Sequence, residues 1–516
     1  MAEKIKKGFF KVLPWSVVIF LVIGLVATFT MPTPQNPGVL PALAAQPTMS
    51  SAVTVDNNAD GTVDRLVITF SENVDITDGN AGDGFPAITL AASSGTATID
   101  NADYGALNVP TLTLNITVSA TGNTAITIDP TYATAPAGLI ADTATSTEMA
   151  NLATVVGADG AKPAFISALT GDANSDGTVD RLVLTFSESS DVTDGNAGDG
   201  FPAITLAASS GTATIDNADY AAAATTTLTL NITTSVTANT ALTVTPTYTT
   251  APAGQIDDVA PANNEMANTA SVAGTDGAAP AFISALTGDN NSDGTVDRLV
   301  MTFSEPVTVT DGGTDDDITL VASSGTATVT AGVYGAVGTT TLTYTISVSA
   351  TGNTAITIDP TYATAGAGSI SDTVNEMANG ETVVGADGAA PAFISALTGD
   401  NNSDGTVDRL VLTFSESSDV TDGNAGDGFP AITLVASSGT ATIDNANYAG
   451  TASAILNLNI TVSATSNTAI TVTPTYTVAA AGQIDDTSPA NNEMADAETV
   501  AVTPLQPPLL KQTSVI

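Results

Sequence analysis

Apolar and polar positions alternate along most of this chain with a period of two. In one stretch Leu182, Leu184 and Phe186 alternate with Val183, Thr185 and Ser187, the pattern of a half-buried strand. Ile204 and Leu206, then Ala213 and Ile215, then Leu228, Leu230 and Ile232, then Leu242, Val244 and Tyr248 continue it. Residues 163–170 predict a strand before this set and 269–273 one after it. Gly/Asp/Asn/Ser clusters separate the runs, and no window carries a helical period. About seven short strands in succession predict an antiparallel sandwich of two sheets. The many threonines, β-branched and polar, suit the solvent face of such sheets.

The whole set recurs four times. An acidic loop that runs directly into a strand marks each copy, as in Asp172-Ala-Asn-Ser-Asp-Gly-Thr-Val-Asp180 followed by Arg181 to Glu188. The central aspartates Asp60, Asp176, Asp293 and Asp404 lie 116, 117 and 111 residues apart, too long for a solenoid turn and suited to one small domain. The expected organisation is repeats at 47–162, 163–279, 280–390 and 391–503, with a tail at 504–516. The junctions Gly157-Ala-Asp-Gly-Ala-Lys-Pro163, Gly274-Thr-Asp-Gly-Ala-Ala-Pro280 and Gly385-Ala-Asp-Gly-Ala-Ala-Pro391 read as short linkers with a fixed aspartate.

Ahead of the repeats, residues 1–11 hold four lysines and residues 12–31 hold no charge. Residues 1–31 therefore predict a signal peptide or a membrane-spanning helix with its amino end inside. Ala42-Leu43-Ala44 is a small-x-small site rather far beyond the apolar run, so cleavage and a retained anchor both stay open. Either one exports the rest, and prolines at 34, 37 and 41 make 32–46 an extended spacer.

Charge narrows the possible partners. Against 53 acidic residues stand 10 basic ones, a formal −43 with no histidine. Setting aside the four lysines and one glutamate of residues 1–11 leaves six basic against 52 acidic residues. Such a surface repels phosphate backbones and anionic lipid, which excludes nucleic acid and restricts membrane contact to the N-terminal helix if uncleaved. Cations are the natural counter-species. Hydrophobic residues at 43% argue against disorder. Without cysteine or histidine there are no disulfides, no thiolate chemistry and no histidine-based metal site or triad.

The Asp-Gly-Ala-Ala-Pro opening, the Leu-Thr-Phe-Ser-Glu strand and the closing Ile-Asp-Asp...Asn-Glu-Met-Ala block resemble the Ig-like domains found in tandem in bacterial exported surface, adhesin and S-layer proteins. The resemblance spans about 47–503 and implies an all-β fold of four Ig-like antiparallel sandwiches after the N-terminal helix. It implies no particular ligand.

Each repeat carries three acidic loops. In the first, oxygen-bearing residues stand at positions 1, 3, 5 and 9 with glycine at 6, the spacing that wraps a hard cation. These candidate ligands are Asp56, Asn58, Asp60 and Asp64; Asp172, Asn174, Asp176 and Asp180; Asp289, Asn291, Asp293 and Asp297; and Asp400, Asn402, Asp404 and Asp408. The loop resembles those of EF-hand, dockerin and thrombospondin-type calcium repeats, but position 12 is Val183 where a bidentate glutamate is expected. The site is incomplete without water or a neighbour's carboxylate. The alternative is that Asp-Gly and Asn/Asp clusters simply make tight turns.

The second loop carries Asp75/Asp78/Asp83, Asp191/Asp194/Asp199 and Asp419/Asp422/Asp427, shortened in the third copy to Asp311 and Asp315–Asp317. The third carries Asp142/Glu148, Asp257/Asp258/Glu265, Asp372/Glu376 and Asp485/Asp486/Glu493. Alone, each reads as a solvated turn. Sandwich topology places the first loop of one repeat against the second and third loops of the next, with the linker aspartates Asp159, Asp276 and Asp387 between. Calcium at these junctions would offset the repulsion and stiffen the array, as in cadherin-like rods. Arg65, Arg181, Arg298 and Arg409 follow the first loops and are expected to pair with a carboxylate and cover strand surface. The sequons at Asn115, Asn231 and Asn459 fall within a predicted strand.

The expected function is an exported, non-enzymatic rod at the cell surface or outside the cell: a stalk, an adhesin or an envelope-layer component. Its partners would be cell-surface, polysaccharide or further copies of itself. A carbohydrate-binding array is the alternative, although Trp15, in the leader, is the sole tryptophan. A hydrolase with paired carboxylates is disfavoured by fourfold repetition of every loop. Simple adaptation to salt is a further alternative.

Overall fold

The computed structural model describes residues 45–504 except for short loop stretches at 80–81, 83, 135–137, 196–197, 199, 251–253, 311–316, 332–335, 365–367, 424–425, 427, 479–481 and 488. The leader, most of the spacer, the tail beyond 504, and Asp83, Asp199, Asp311, Asp315, Asp316 and Asp427 lie outside the described residues. Every described element is a strand or turn, and four near-identical sheet groups follow one another as tandem β-sandwiches.

In the second repeat the larger sheet runs Ala213–Ile215, Ala222–Thr234, Arg181–Asp194, Phe165–Gly171 and Gly274–Thr275. Ile204–Ala208 and Val244–Tyr248 form a separate antiparallel pair. The strand Arg181–Asp194 organises the domain. Its first half pairs with Phe165–Gly171 and Ala222–Thr234. Past a break in register its second half pairs with Gly254–Asp258. That break, between Thr185 and Ser190, interrupts the alternation and leaves Phe186, Ser187 and Glu188 buried in succession.

Two expectations change. Asp257 and Asp258 of the third acidic loop close a strand, Gly254–Asp258, rather than lying in a turn. In place of a strand at 269–273 there is an isolated bridge from Ser271 to Thr247. The chain then makes the short strand Gly274–Thr275, which runs parallel to Phe165–Gly171. The linker is thus an edge strand of the sheet it leaves.

Alternation fills the core. Leu182, Leu184, Leu228 and Leu230 are buried, each contributing roughly 1.5–3 kcal/mol. A wholly buried tyrosine in every copy (Tyr132, Tyr248, Tyr362, Tyr476) donates its hydroxyl to Glu148, Glu265, Glu376 or Glu493 at 2.7–2.9 Å. This bond satisfies a hydroxyl that would otherwise be buried at a cost, and it gives the third loop's glutamate a structural role.

Candidate metal centre at the repeat junctions

The first acidic loop closes on its own backbone. Asp172 Oδ2 accepts the Gly177 N–H at 2.7 Å, and Asn174 Oδ1 accepts that of Asp176 at 2.9 Å. Asp176 Oδ1 accepts the Thr178 N–H at 2.9 Å, and Asp180 Oδ1 accepts that of Ala173 at 2.7 Å. Asp56, Asn58, Asp60 and Asp64 repeat the arrangement, as do the loops at Asp289 and Asp400. Short polar side chains here hold turns, as the Asx geometry of such residues allows. In the first repeat Asp56 Oδ1 is buried without a hydrogen-bond partner.

Glycine at position 6 serves two ends. Gly177 has φ +81°, and a Cβ there would come within 2.4 Å of Ile283 Cδ1 in the next repeat. Gly61 and Gly294 likewise face Ile166/Ser187 and Ile394/Ser415. The acidic loop is therefore the surface on which the following repeat sits.

Around that contact the carboxylates that converge are mostly others. Asp159, Glu188 and Asp258 place one oxygen each within 4.8 Å of one another. Asp276, Glu305 and Asp372 do the same at the second junction, and Asp387, Glu416 and Asp486 at the third. The linker supplies the first residue of each set, the break in the long strand the second, and the end of the Gly254–Asp258 strand or its counterpart the third. Of the residues singled out from the sequence, the linker aspartates and the third-loop aspartates meet. Among the described residues the four ligands of a first loop form no comparable group. Beyond the triads, burial raises the pKa of Glu381 and of Glu498, and the charges of Asp172 and Asp289 of the preceding repeats add to it.

The preceding repeat reaches into each triad. Thr124 Oγ1 donates to Glu188 Oε1 at 2.6 Å and lies 2.6 Å from Ser187 Oγ. Thr240 donates to Glu305 at 2.6 Å, and Thr354 to Glu416 at 2.5 Å. All three threonines are fully buried, and Glu188 is only 6% exposed. Asn264 holds Asp258 through its backbone N–H and its amide, which also donates to the Ala161 carbonyl at 3.3 Å. Asn492 does the same for Asp486 and reaches the carbonyls of Asp387 and Ala389.

Burial dominates the electrostatics. It pushes Glu188 up to about 7, a rise that the Thr124 hydroxyl opposes and Asp159 and Asp258 reinforce. It pushes Glu305 and Glu416 up to about 8, and Asp159 and Asp387 up to about 6. None of these influences is a cation. Three carboxylates so placed shed their repulsion by binding protons or by sharing a cation. Together with threonine and serine hydroxyls they form the hard-oxygen set that calcium prefers.

The glutamates were not singled out from the sequence. Their signal was faint: an acid that follows an apolar run inside a strand, where the period of two fails. The threonines gave none, since Asn-Thr-Ala looks like an ordinary turn. Arg65, Arg181, Arg298 and Arg409 make no ion pair among the described residues. Arg181 instead lies over the strand surface at Gly171, where a Cβ would meet its Nε at 3.0 Å. Arg298 Nε and Arg409 Nε are buried without a hydrogen-bond partner.

No protein-family model matches the chain, and no curated protein matches it.

Proposed function

We propose that this chain is an exported, non-enzymatic rod of four Ig-like sandwiches, of the kind found in bacterial surface, adhesin or S-layer proteins, and that calcium stiffens its junctions. The supporting observation is the junction itself. At three successive boundaries a fully buried threonine of one repeat donates to a buried glutamate of the next, inside a triad of carboxylates. A flexible tether between independent domains would not bury such groups, whereas a rod requires a fixed angle at each step.

Calcium suits the donor set. Asp159, Glu188 and Asp258, and their two sets of counterparts, would hold it, and a divalent charge would replace the protons that burial favours. Repetition of every acidic group and the absence of histidine support a structural role over catalysis. The leader and the acidity support an extracellular or cell-surface site of action.

The test is a thermal melt of the exported chain in chelator, in millimolar calcium, in magnesium and in high sodium chloride. At about a hundred times its dissociation constant, calcium should stabilise the fold by roughly 2.7 kcal/mol per site. A rise with calcium alone supports the reading. An equal rise in sodium chloride means charge screening and removes calcium from it.

A further inference from the structure

The surface on which each later repeat sits is built a fourth time. In the first three repeats the glycine of the acidic loop lies under an isoleucine of the repeat that follows: Gly61 under Ile166, Gly177 under Ile283 and Gly294 under Ile394. The fourth repeat has the same loop. Asp400, Asn402, Asp404 and Asp408 accept the same four backbone N–H groups, and Gly405 has φ +88°. The Ser466 N–H donates to Thr406 Oγ1 at 3.2 Å, as the Gly122 N–H donates to Thr62 Oγ1 at 3.1 Å. Among the described residues nothing covers this surface. A Cβ at Gly405 would meet only Ser466 Cα of its own repeat, at 3.9 Å, and Thr468 is exposed.

Sheet register says which part of the chain arrives there. Val502 stands opposite Ala396 in a parallel pair, as Gly157, Gly274 and Gly385 stand opposite Ala52, Ala168 and Ala285. Pro504, opposite Thr398, therefore holds the place of the linker aspartates. From Asp159, Asp276 and Asp387, proline is the fourth residue onward and the docking isoleucine the seventh. From Pro504 the fourth is Pro508 and the seventh is Lys511. Lys511 is one of only six basic residues beyond residue 11, and residues 505–516 contain no acid. On the receiving side, Ser466 stands where the earlier repeats have Gly122, Ala238 and Gly352. Gly122 and Gly352 are the ones that face Ile166 and Ile394, so the apolar contact has turned polar on both sides.

We propose that residues 505–516 dock on the acceptor surface of the fourth repeat, with Lys511 in the isoleucine's place and its ammonium against the carboxylates of the Asp400 loop. A lysine stem covers a glycine as an isoleucine does, while its head stays at the wet rim. Asp400, Asp404 and Asp408 supply the opposite charge there, and Ser466 supplies a hydroxyl where a glycine would leave an apolar floor. The tail brings neither a linker aspartate nor a glutamate, so no carboxylate triad forms at this seam. The proposal rests on the geometry of the seams and is independent of calcium at the triads.

The experiment measures a distance. The chain has no cysteine, so two introduced ones carry spin labels without competition. Asn401→Cys marks the rim of the acidic loop, at a position that stays exposed in the earlier repeats (Asn57, Ala173, Asn290), and Gln512→Cys marks the tail. Pulsed electron resonance on the full exported chain in chelator should give one short, narrow distance. Lys511→Glu should replace it with a broad distribution, and Lys511→Arg should keep it. Melting temperatures shared by these variants show that the four sandwiches remain folded. A broad distribution in the labelled parent overturns the proposal, and so does a short distance that Lys511→Glu leaves untouched. A short distance that disappears on dilution with unlabelled chain places a second copy on the surface and overturns it as well.

Discussion

The same dipeptide, Ser-Glu at the end of a strand that begins Arg-Leu-Val, lives two different lives in this molecule. In the first repeat Ser71 and Glu72 are exposed. In the other three Ser187/Glu188, Ser304/Glu305 and Ser415/Glu416 are buried against the repeat before. Two further positions change with them. The docking residue is Ser50 in the first repeat and Ile166, Ile283 or Ile394 later; and four residues before Pro47 the chain has Leu43, where Asp159, Asp276 and Asp387 precede the later prolines. Thr468, the fourth counterpart of Thr124, is exposed where the other three are fully buried. The carboxylate's chemistry is thus set by its neighbours in space and not by its local sequence. In the later repeats burial, reinforced by two neighbouring aspartates, raises the glutamate's pKa.

That contrast can be broken at several scales. The largest effect is expected from pH, which acts on all three junctions together. The folded pKa values of the junction glutamates lie above the unfolded value, so the stability they bring is present in full below about pH 4.3. It is lost as pH rises through about 7 to 8. In chelator the melting temperature should therefore fall between pH 5 and pH 8, and Glu188→Gln, Glu305→Gln and Glu416→Gln together should flatten the fall. A fall that the triple variant leaves unchanged would place its origin outside the triads.

Next in size is the threonine contact. Thr240→Val strips Glu305 of its donor while keeping the shape, and should cost about 1–3 kcal/mol in denaturant unfolding. Thr468→Val, at the exposed counterpart, should stay within about 0.5 kcal/mol of the parent. Similar losses from both would make the contact irrelevant.

Packing across the junction follows. Ile283→Ala removes the side chain that abuts Gly177 and should loosen the step between repeats two and three. Small-angle scattering would show this as a broader distribution of lengths, with the cores intact by circular dichroism. Ser50→Ala, at the matching place in the first repeat, should leave the scattering unchanged. The smallest effect belongs to Glu72→Gln, which should move stability by no more than about 0.5 kcal/mol in denaturant unfolding.

Much of this molecule is written locally. The period of two at Leu182, Leu184 and Phe186 is enough to place a strand and choose its buried face, because neighbouring side chains on a strand point to opposite sides. The Asp-Gly turns follow from short polar side chains that cap nearby N–H groups, as Asp172 caps Gly177. Fourfold repetition then fixes four all-β units, and the linker aspartates could be named because they stand in a short spacer between them. What local pattern could not supply was partnership across the boundary. Thr124 and Glu188 are 64 residues apart, and neither is unusual in its own segment. Only docking of one sandwich on the acidic loop of the previous one brings the threonine to the glutamate, and the glutamate to the two aspartates. Charge interactions are decided by distance through space and by the exclusion of water, and both belong to the tertiary structure.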